Sequence, residues 1–453
     1  MALSRRRILQ GAGALSLLAG RLAAPALAQP APAGDIPPIL FVHGNGDHAP
    51  LWMTTLWRME TNGVPRERLV ALNFTDPLAR TDDKVEQANR SSTEDQRREL
   101  AEAVRELKQN SGAARIALVG NSRGGNAIRN YIKNGGGGDI SHAVLCGTPN
   151  HGLYAWDDGL GNEFNGRGPF LRGLNDGDSE VTAGTAFLTL RSDGFDKYAQ
   201  ADGRFVGKPG TPTNVTAEGP ALKGATNLVL GAVDHRETGF HPRAFREIYR
   251  FIAGHEPSRI EIVPETAVRL SGLVTGTPGG VQTNRPVPGA TVDIYHVSAE
   301  TGERIGGPLH SSQTSADGRW GPAQVDPSWP LEFVLTSPDA VTTHIYRSPF
   351  PRSSEIVHLR AARPQLAADA GAGAIVLMSR PRGYFGLPRD IVLFDGKEPA
   401  DVKPGVPADS VATLRLAAAD IGRPVAAIFN QERIVMRSWP ASENRIAVAE
   451  LTY

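Results

Sequence analysis

The chain has 453 residues, which is enough for two or three domains with a sizeable core. Its 48 basic residues balance its 48 acidic residues, so no net charge attracts the protein to nucleic acid or to anionic membranes. The 50 glycines and 34 prolines favour a loop-rich, partly β protein over a helical one.

The first 28 residues have the pattern of an export signal. Ser4-Arg5-Arg6-Arg7 resembles the twin-arginine signal, residues 11–20 are apolar, and Ala26-Leu27-Ala28 has the small residues of a cleavage site. The apolar segment is too short for a stable membrane span, and a retained N-terminal anchor is the alternative. We therefore expect removal of residues 1–28 and a periplasmic or extracellular protein without a transmembrane segment.

The single cysteine excludes a disulfide within the chain. Cys146 lies in an apolar run, residues 143–146, which predicts a packed and unreactive thiol.

Strands alternate with helices from residue 38 to residue 150, which predicts a mostly parallel sheet with helices on both faces. A helix is predicted from about 51 to 62. Residues 93–96 have the pattern of a capping box, and the helix that they start ends near Gly112. The predicted strands of this part are 38–42, 68–72, 116–119 and 143–146.

The periodicity weakens over residues 153–188, which mix polar residues and glycines with scattered aromatics. Such a stretch inside a compact domain is typical of a lid or a substrate-pocket insertion, with a plain exposed loop as the alternative. Strands follow at 187–190 and 227–230, and an amphipathic helix begins at Pro242 and ends at Gly254.

The pattern changes after a linker at residues 255–265. Alternating strand-like segments are separated by turn signals, and residues 410–418 are the one segment with a helical pattern. We divide this β region into a β-sandwich-like domain, 266–360, and a second β-rich domain or subdomain, 361–453. A catalytic domain at 29–254 precedes them.

A serine stands at the apex of a sharp turn between a strand and a helix. Residues 120–124 read Gly-Asn-Ser-Arg-Gly, the pattern of a nucleophile elbow with Ser122 at its apex. A Cβ at Gly120 or Gly124 would collide as the strand and the helix close on each other. A chance match in a glycine-rich chain is the alternative, and the flanking strand and helix argue against it.

The loop after the first strand, His43-Gly44-Asn45-Gly46, suits an oxyanion hole. We expect the backbone N–H groups of Asn45 and Arg123 to face the reacting oxygen, a role that needs neither side chain. His43 is expected to anchor the loop.

A serine hydroxyl needs a histidine to accept its proton. His235 follows the last predicted core strand and precedes the final helix, and it is favoured over His241, which lies at the start of that helix.

The histidine in turn needs a carboxylate to hold its tautomer. The loop after strand 187–190 offers Asp196 and Asp193, of which Asp196 is preferred, and Asp234 is a weaker third candidate. The sequence has no cysteine cluster, no phosphate loop and no dinucleotide fingerprint, so we expect no metal and no cofactor.

Together, the elbow, the His-Gly-Asn-Gly loop, residues 147–152 (Gly-Thr-Pro-Asn-His-Gly) and the helix after His235 resemble serine lipases and esterases of the α/β-hydrolase superfamily. This resemblance covers residues 37–254. The domain order, with the run from Asp234 to Pro264 leading into the β region, is similar to archaeal carboxylesterase-type lipases that carry a C-terminal β-rich lipid-binding domain. Residues 288–292 and 315–320 look like carboxypeptidase-regulatory or transthyretin-like sandwiches.

The chain departs from the archaeal pattern in two places. In those lipases the acid follows the strand after the elbow helix, where this chain has Cys146-Gly147, so the acid is expected after the later strand. The elbow has Asn121 and Arg123 where lipases more often show His and Met, so no substrate preference is carried over.

These features predict an α/β-hydrolase fold followed by an all-β region, and an exported serine hydrolase that cleaves carboxylic esters. The β region would bind a lipid, a polymer or a cell surface. The alternatives are a polyester depolymerase of the polyhydroxyalkanoate type, amide or lactone hydrolysis, and a non-catalytic binding protein on the same fold.

Overall fold

The computed structural model describes residues 36–453, and the predicted export signal at residues 1–28 lies outside the described residues. Within the described range no helix has the length and the apolar composition that are needed to cross a membrane.

The first part of the chain forms a parallel sheet in the order β2-β1-β3-β4-β5-β6. Its central strands are buried on both faces and are almost continuously apolar, as expected of a sheet that helices cover on both sides. Because the strands are parallel, their carboxyl ends meet at one edge. The strands are β1 (Ile39–Val42), β2 (Leu69–Leu72), β3 (Ile116–Asn121), β4 (Ile140–Cys146), β5 (Ala186–Ser192) and β6 (Thr226–Leu230).

Helices cover both faces of this sheet. One apolar cluster joins the first and last helices to one face, and another joins the second and third helices to the opposite face. The helices are α1 (Met53–Thr61), α2 (Thr93–Ser111), α3 (Arg123–Lys133), α4 (Pro169–Leu174), α5 (Glu237–Phe240) and α6 (Pro242–Ala253).

The capping box of α2 lies one residue earlier than the sequence pattern indicated. Ser92 is the N-cap: its hydroxyl accepts from the N–H of Asp95, and the Asp95 carboxylate accepts from the N–H of Ser92. Aspartate fills the position that glutamate usually holds, so the Ser/Thr-x-x-Glu/Gln pattern falls on Thr93 and Gln96 instead. Gly112 ends the helix with φ 66°.

The second part of the chain is made of β-strands in three sheets, with orders β10-β7-β13, β16-β14-β19-β12-β11-β8-β9 and β15-β17-β18. The strands are β7 (Val268–Thr275), β8 (Thr291–His296), β9 (His310–Gln313), β10 (Arg319–Val325), β11 (Leu331–Thr336), β12 (Thr342–Arg347), β13 (Leu359–Arg360), β14 (Ala374–Ser379), β15 (Val392–Phe394), β16 (Val411–Leu416), β17 (Pro424–Phe429), β18 (Glu432–Arg437) and β19 (Arg445–Glu450).

The predicted helix at 410–418 is wrong. Residues 411–416 form β16, which pairs antiparallel with β14 over six residues. The segment contains alanine and leucine, which favour helices, but ladder pairing and burial of Ala412 and Leu416 outweigh that local preference.

One sheet crosses residue 360. β12 pairs in parallel with β19, so strands from 291–347 and 374–450 share a single seven-stranded sheet. The division of the β region into 266–360 and 361–453 stays a prediction.

Helix α1 joins the two parts of the chain. Met59 packs in the core of the parallel sheet, whereas Met53 and Trp57 pack in the core of the β region. The Trp57 indole N–H also donates to the carbonyl of Ser353 at 3.1 Å. The β region is therefore packed against the α/β domain through a shared helix.

Candidate active site

Ser122 lies between the end of β3 and the start of α3, at the edge where the parallel strands end. Its backbone has φ 55° and ψ −124°, a region that residues with a Cβ rarely adopt. The N–H of Ser122 donates to the carbonyl of Cys146 at 2.8 Å, so β4 helps to hold the turn. Such strain costs about 1–3 kcal/mol and persists only where the surrounding structure imposes it.

The strained turn fits because glycines surround it. An added Cβ at Gly124 would lie 2.6 Å from the carbonyl oxygen of Val42, and one at Gly120 would lie 2.6 Å from Ile128 Cδ1. An added Cβ at Gly44, in the loop after β1, would lie 2.9 Å from Ser122 Cβ. The loop after β1 therefore passes directly beside the serine.

His235 and Asp196 form a buried hydrogen-bonded pair. His235 Nδ1 lies 2.8 Å from Asp196 Oδ2, and the two residues are 3% and 7% exposed. His235 Nε2 has no hydrogen-bond partner among residues 36–453. A proton on Nδ1 that is shared with the carboxylate leaves Nε2 as an acceptor, which is the tautomer that a general base requires.

The turn that carries His235 is held by Asn121, a side chain to which the sequence pattern assigns no role. The Asn121 amide donates to the carbonyl of His235 at 3.3 Å and to the hydroxyl of Thr238 at 3.2 Å. The residue before the serine therefore fixes the backbone of the histidine. Its position inside the elbow was the only signal available.

The other candidate acids make different contacts. Asp193 accepts from the N–H groups of Phe195 and Ala232 at 3.1 and 2.8 Å, so it holds the turns after β5 and β6 together. Asp234 is buried and accepts from Arg380 Nη1 at 2.8 Å. Neither has a hydrogen bond to the His235 ring within the described part of the chain.

The other two histidines considered also have structural contacts. His241 is the N-cap of α6, where its Nδ1 accepts from the N–H of Arg243 at 3.2 Å. His43 is fully buried; its Nδ1 bonds to the carbonyl of Gly44 at 2.9 Å, and its Nε2 accepts from the N–H of Phe74 at 3.1 Å. Burial lowers the pKa of His43, which keeps the ring neutral in this anchoring role.

The oxyanion donors predicted from the sequence are the backbone N–H groups of Asn45 and Arg123. Neither N–H donates a hydrogen bond to any group between residues 36 and 453. The Asn45 side chain accepts from the N–H of Ala79 at 2.8 Å, which helps to fix the loop, and the residue is exposed.

The Arg123 side chain has a structural role that the sequence does not indicate. Its guanidinium is fully buried and binds Glu163 in a bidentate pair with distances of 2.6 and 2.7 Å. It also donates to the carbonyl of Ser91 at 2.8 Å. Burial raises the pKa of Glu163, and the facing guanidinium opposes that rise. The start of α3 is thereby tied to the irregular segment 153–188.

Two small cavities meet at the histidine. One of about 50 Å³ contains Ser122, His235 and, from the β region, Tyr384. The other, of about 100 Å³, is lined by both His235 and Asp196. Within the described residues, no group of three His, Cys, Asp or Glu side chains could hold a metal ion.

Two protein-family models match the chain. The palmitoyl protein thioesterase model matches residues 38–182, and the lipase C-terminal domain model matches residues 266–364. No curated protein matches the chain.

Several solved structures are similar to the chain. Aspergillus fumigatus lipase B is 16% identical with a TM-score of 0.36, and the match covers 50% of this chain and 54% of that one, about half its length. Bacillus licheniformis lipase BlEst2 in its mature form is 21% identical with a TM-score of 0.36 over 50% of this chain and 95% of that chain. Its propeptide form is 16% identical with a TM-score of 0.35 over 90% and 97%.

The predicted fold class is confirmed: a parallel sheet with an elbow at β3 and helices on both faces is followed by a β-rich region. The family models match in the same order along the chain.

Gly124→Ala tests the crowding at the elbow. Because the added Cβ would meet backbone carbonyls, which cannot move aside, we expect a loss of about 2 kcal/mol in the free energy of unfolding. Gly173→Ala, in α4, is the matched control, because outside its chain neighbours and its own helix no described atom lies within 4 Å of the added Cβ. The same substitution there should raise stability by about 0.5–1 kcal/mol. Urea denaturation of both variants checks this, and equal stabilities would contradict it.

Proposed function

We propose that this chain, an α/β hydrolase of the lipase and esterase type with a C-terminal domain, is a serine hydrolase that cleaves carboxylic esters. The observation that carries the proposal is the 2.8 Å hydrogen bond between Asp196 and His235. His235 lines the same cavity as the strained Ser122, and its Nε2 has no hydrogen-bond partner among the described residues. A nucleophile, a base and a group that orients the base are the three parts that acyl transfer to serine needs.

In the acylation step, Ser122 Oγ attacks the ester carbonyl carbon and its proton passes to His235 Nε2. The Asp196 carboxylate stabilises the imidazolium that forms. The carbonyl oxygen becomes an oxyanion, which accepts hydrogen bonds from the N–H groups of Asn45 and Arg123. The tetrahedral species collapses when His235 gives its proton to the leaving alcohol, and an ester on Ser122 remains.

In the deacylation step, water takes the place of the alcohol. His235 removes a proton from the water as the water oxygen attacks the acyl carbon. The second tetrahedral species collapses by breaking its bond to Ser122 Oγ, which takes the proton from His235. The carboxylic acid leaves and the serine is restored. Each oxyanion donor contributes about 10²- to 10³-fold to kcat in enzymes of this type.

The cavity volumes favour a short acyl chain. The two cavities, of about 50 and 100 Å³, are smaller than the roughly 300–1,000 Å³ of sites that enclose drug-sized ligands. The anchoring of segment 153–188 through Glu163 and Arg123 opposes enlargement of the cavity at Ser122. We therefore expect acetyl and butyryl esters to react faster than palmitoyl esters.

Ser122→Ala tests the nucleophile. With p-nitrophenyl acetate, octanoate and palmitate, we expect kcat to fall by roughly 10⁶-fold, because the attacking atom is absent. A fluorophosphonate probe should label the unmodified protein and not the variant. Equal hydrolysis by both proteins would exclude Ser122, and absence of labelling in the unmodified protein would favour a binding protein on the same fold.

A matched pair of variants tests the acid. Asp196→Asn should lower kcat by about 10⁴-fold, because an amide favours the wrong imidazole tautomer. Asp193→Asn keeps an oxygen that can accept from the N–H of Ala232, so kcat should stay within a few fold of the unmodified protein. Steady-state kinetics on p-nitrophenyl acetate measure both. A larger loss of kcat in Asp193→Asn than in Asp196→Asn would identify Asp193, not Asp196, as the acid that orients His235.

Export through the twin-arginine pathway is part of the proposal, supported by Arg5, Arg6 and the cleavage-like residues 26–28. We expect the exported protein to begin near Gln29, as read by mass spectrometry of the intact chain. Replacement of both Arg5 and Arg6 by Lys should retain the protein in the cytoplasm, whereas Arg21→Lys, outside the motif, should not. Export of the double variant would contradict this pathway.

A further inference from the structure

The turn that carries His235 is in contact with residues 380–390 of the β region. Asp234 accepts from Arg380 Nη1 and from the N–H of Tyr384, both at 2.8 Å. Glu237, on the other side of the histidine, accepts from Arg380 Nη2 at 2.6 Å and from Arg389 Nη1 at 2.9 Å. Both residues that flank the catalytic turn are thus paired with one loop of the β region.

This loop also has contacts with Arg236, the residue after the histidine. Arg236 Nη1 donates to the carbonyl of Pro381 at 2.8 Å, and its Nε lies 3.4 Å from the Asp47 carboxylate in the loop after β1. The loop between β14 and β15 is therefore linked both to the histidine turn and to the loop that carries Asn45.

Tyr384 is the residue of this loop that reaches the catalytic cavity. It is 5% exposed and lines the cavity of Ser122 and His235. Two cations lie close to its ring, with Lys197 Nζ 3.8 Å and Arg236 Cζ 5.1 Å from the ring centroid. Both cations are within the distance at which a cation is attracted to an aromatic ring, which favours the present position of the ring. The carbonyl of Tyr384 accepts from Arg380 Nη1 at 2.7 Å.

We propose that Tyr384 is a specificity-determining residue of the hydrolase site, a wall that the β region contributes and that limits the size of the substrate group beside Ser122. The inference rests on the proposed ester hydrolysis. The neighbouring cations disfavour movement of the ring, so the space that it occupies is closed to substrate. Removal of the phenol joins that space to the cavity and admits a longer chain.

The test compares the full-length mature protein with Tyr384→Ala, using p-nitrophenyl acetate and octanoate. We expect the ratio of kcat/KM for octanoate over acetate to rise by about tenfold or more, the effect of a few methylenes in an apolar pocket. Tyr384→Phe keeps the ring and should keep the original ratio. Tyr295→Ala is the matched control: it removes another tyrosine of the β region that is stacked on an arginine, Arg304, 3.7 Å from its ring, and it should not change the ratio.

Fluorophosphonate labelling of Ser122 distinguishes a failure of the Tyr384 proposal from a failure of the serine mechanism. Labelling of the unmodified protein and of Tyr384→Ala with an unchanged ratio would overturn the role of Tyr384 and leave the serine mechanism in place. Absence of labelling in the unmodified protein would overturn the mechanism itself. If thermal unfolding shows that Tyr384→Ala does not fold, Tyr384→Leu removes the same phenol with less lost packing and carries the same expectation.

Discussion

The position of the His235 imidazole depends on the turn between β6 and α5, which three sets of contacts hold in place. Asp196 orients the His235 ring, the Asn121 amide holds its carbonyl, and Arg380 pairs with the carboxylates on either side. A histidine that acts as a base must keep one tautomer and one direction through the reaction. Contacts to the ring, to the backbone and to the flanking residues together meet that requirement.

The ion pairs of Arg380 with Asp234 and Glu237 are almost wholly buried. A buried ion pair adds little net stability over an apolar contact, but removal of one partner costs about 3–5 kcal/mol because a charge stays uncompensated. If the β region separated from the α/β domain, these charges would either become exposed to water or stay buried without a partner. Together with the packing of Trp57 in the β core, these ion pairs hold the β region against the α/β domain.

Features with a local cause could be predicted from the sequence: the buried strands, the elbow and the fold class. The positions of His235 and Asp196, each after a core strand, follow from the rule that parallel strands end at one edge. The contacts of Glu163 with Arg123 and of Arg380 with Asp234 could not be predicted, because they join residues 40 and 146 positions apart. Glu163 and Arg380 lie in the irregular segments 153–188 and 380–390, and neither segment has a periodicity that indicates its partner. The prediction of a helix at 410–418 is wrong for a related reason: the segment pairs with β14, and its local composition does not indicate that distant partner.

The formation of an ester on Ser122 is the central claim, and rapid mixing with p-nitrophenyl butyrate followed by acid quench tests it most directly. The account predicts a burst of one p-nitrophenol per active site, and a mass increase of one butyryl group on the peptide that contains Ser122. The adduct should accumulate in the unmodified protein and be absent from Ser122→Ala. Turnover of the ester with neither burst nor adduct, or an adduct on another residue, would contradict the account.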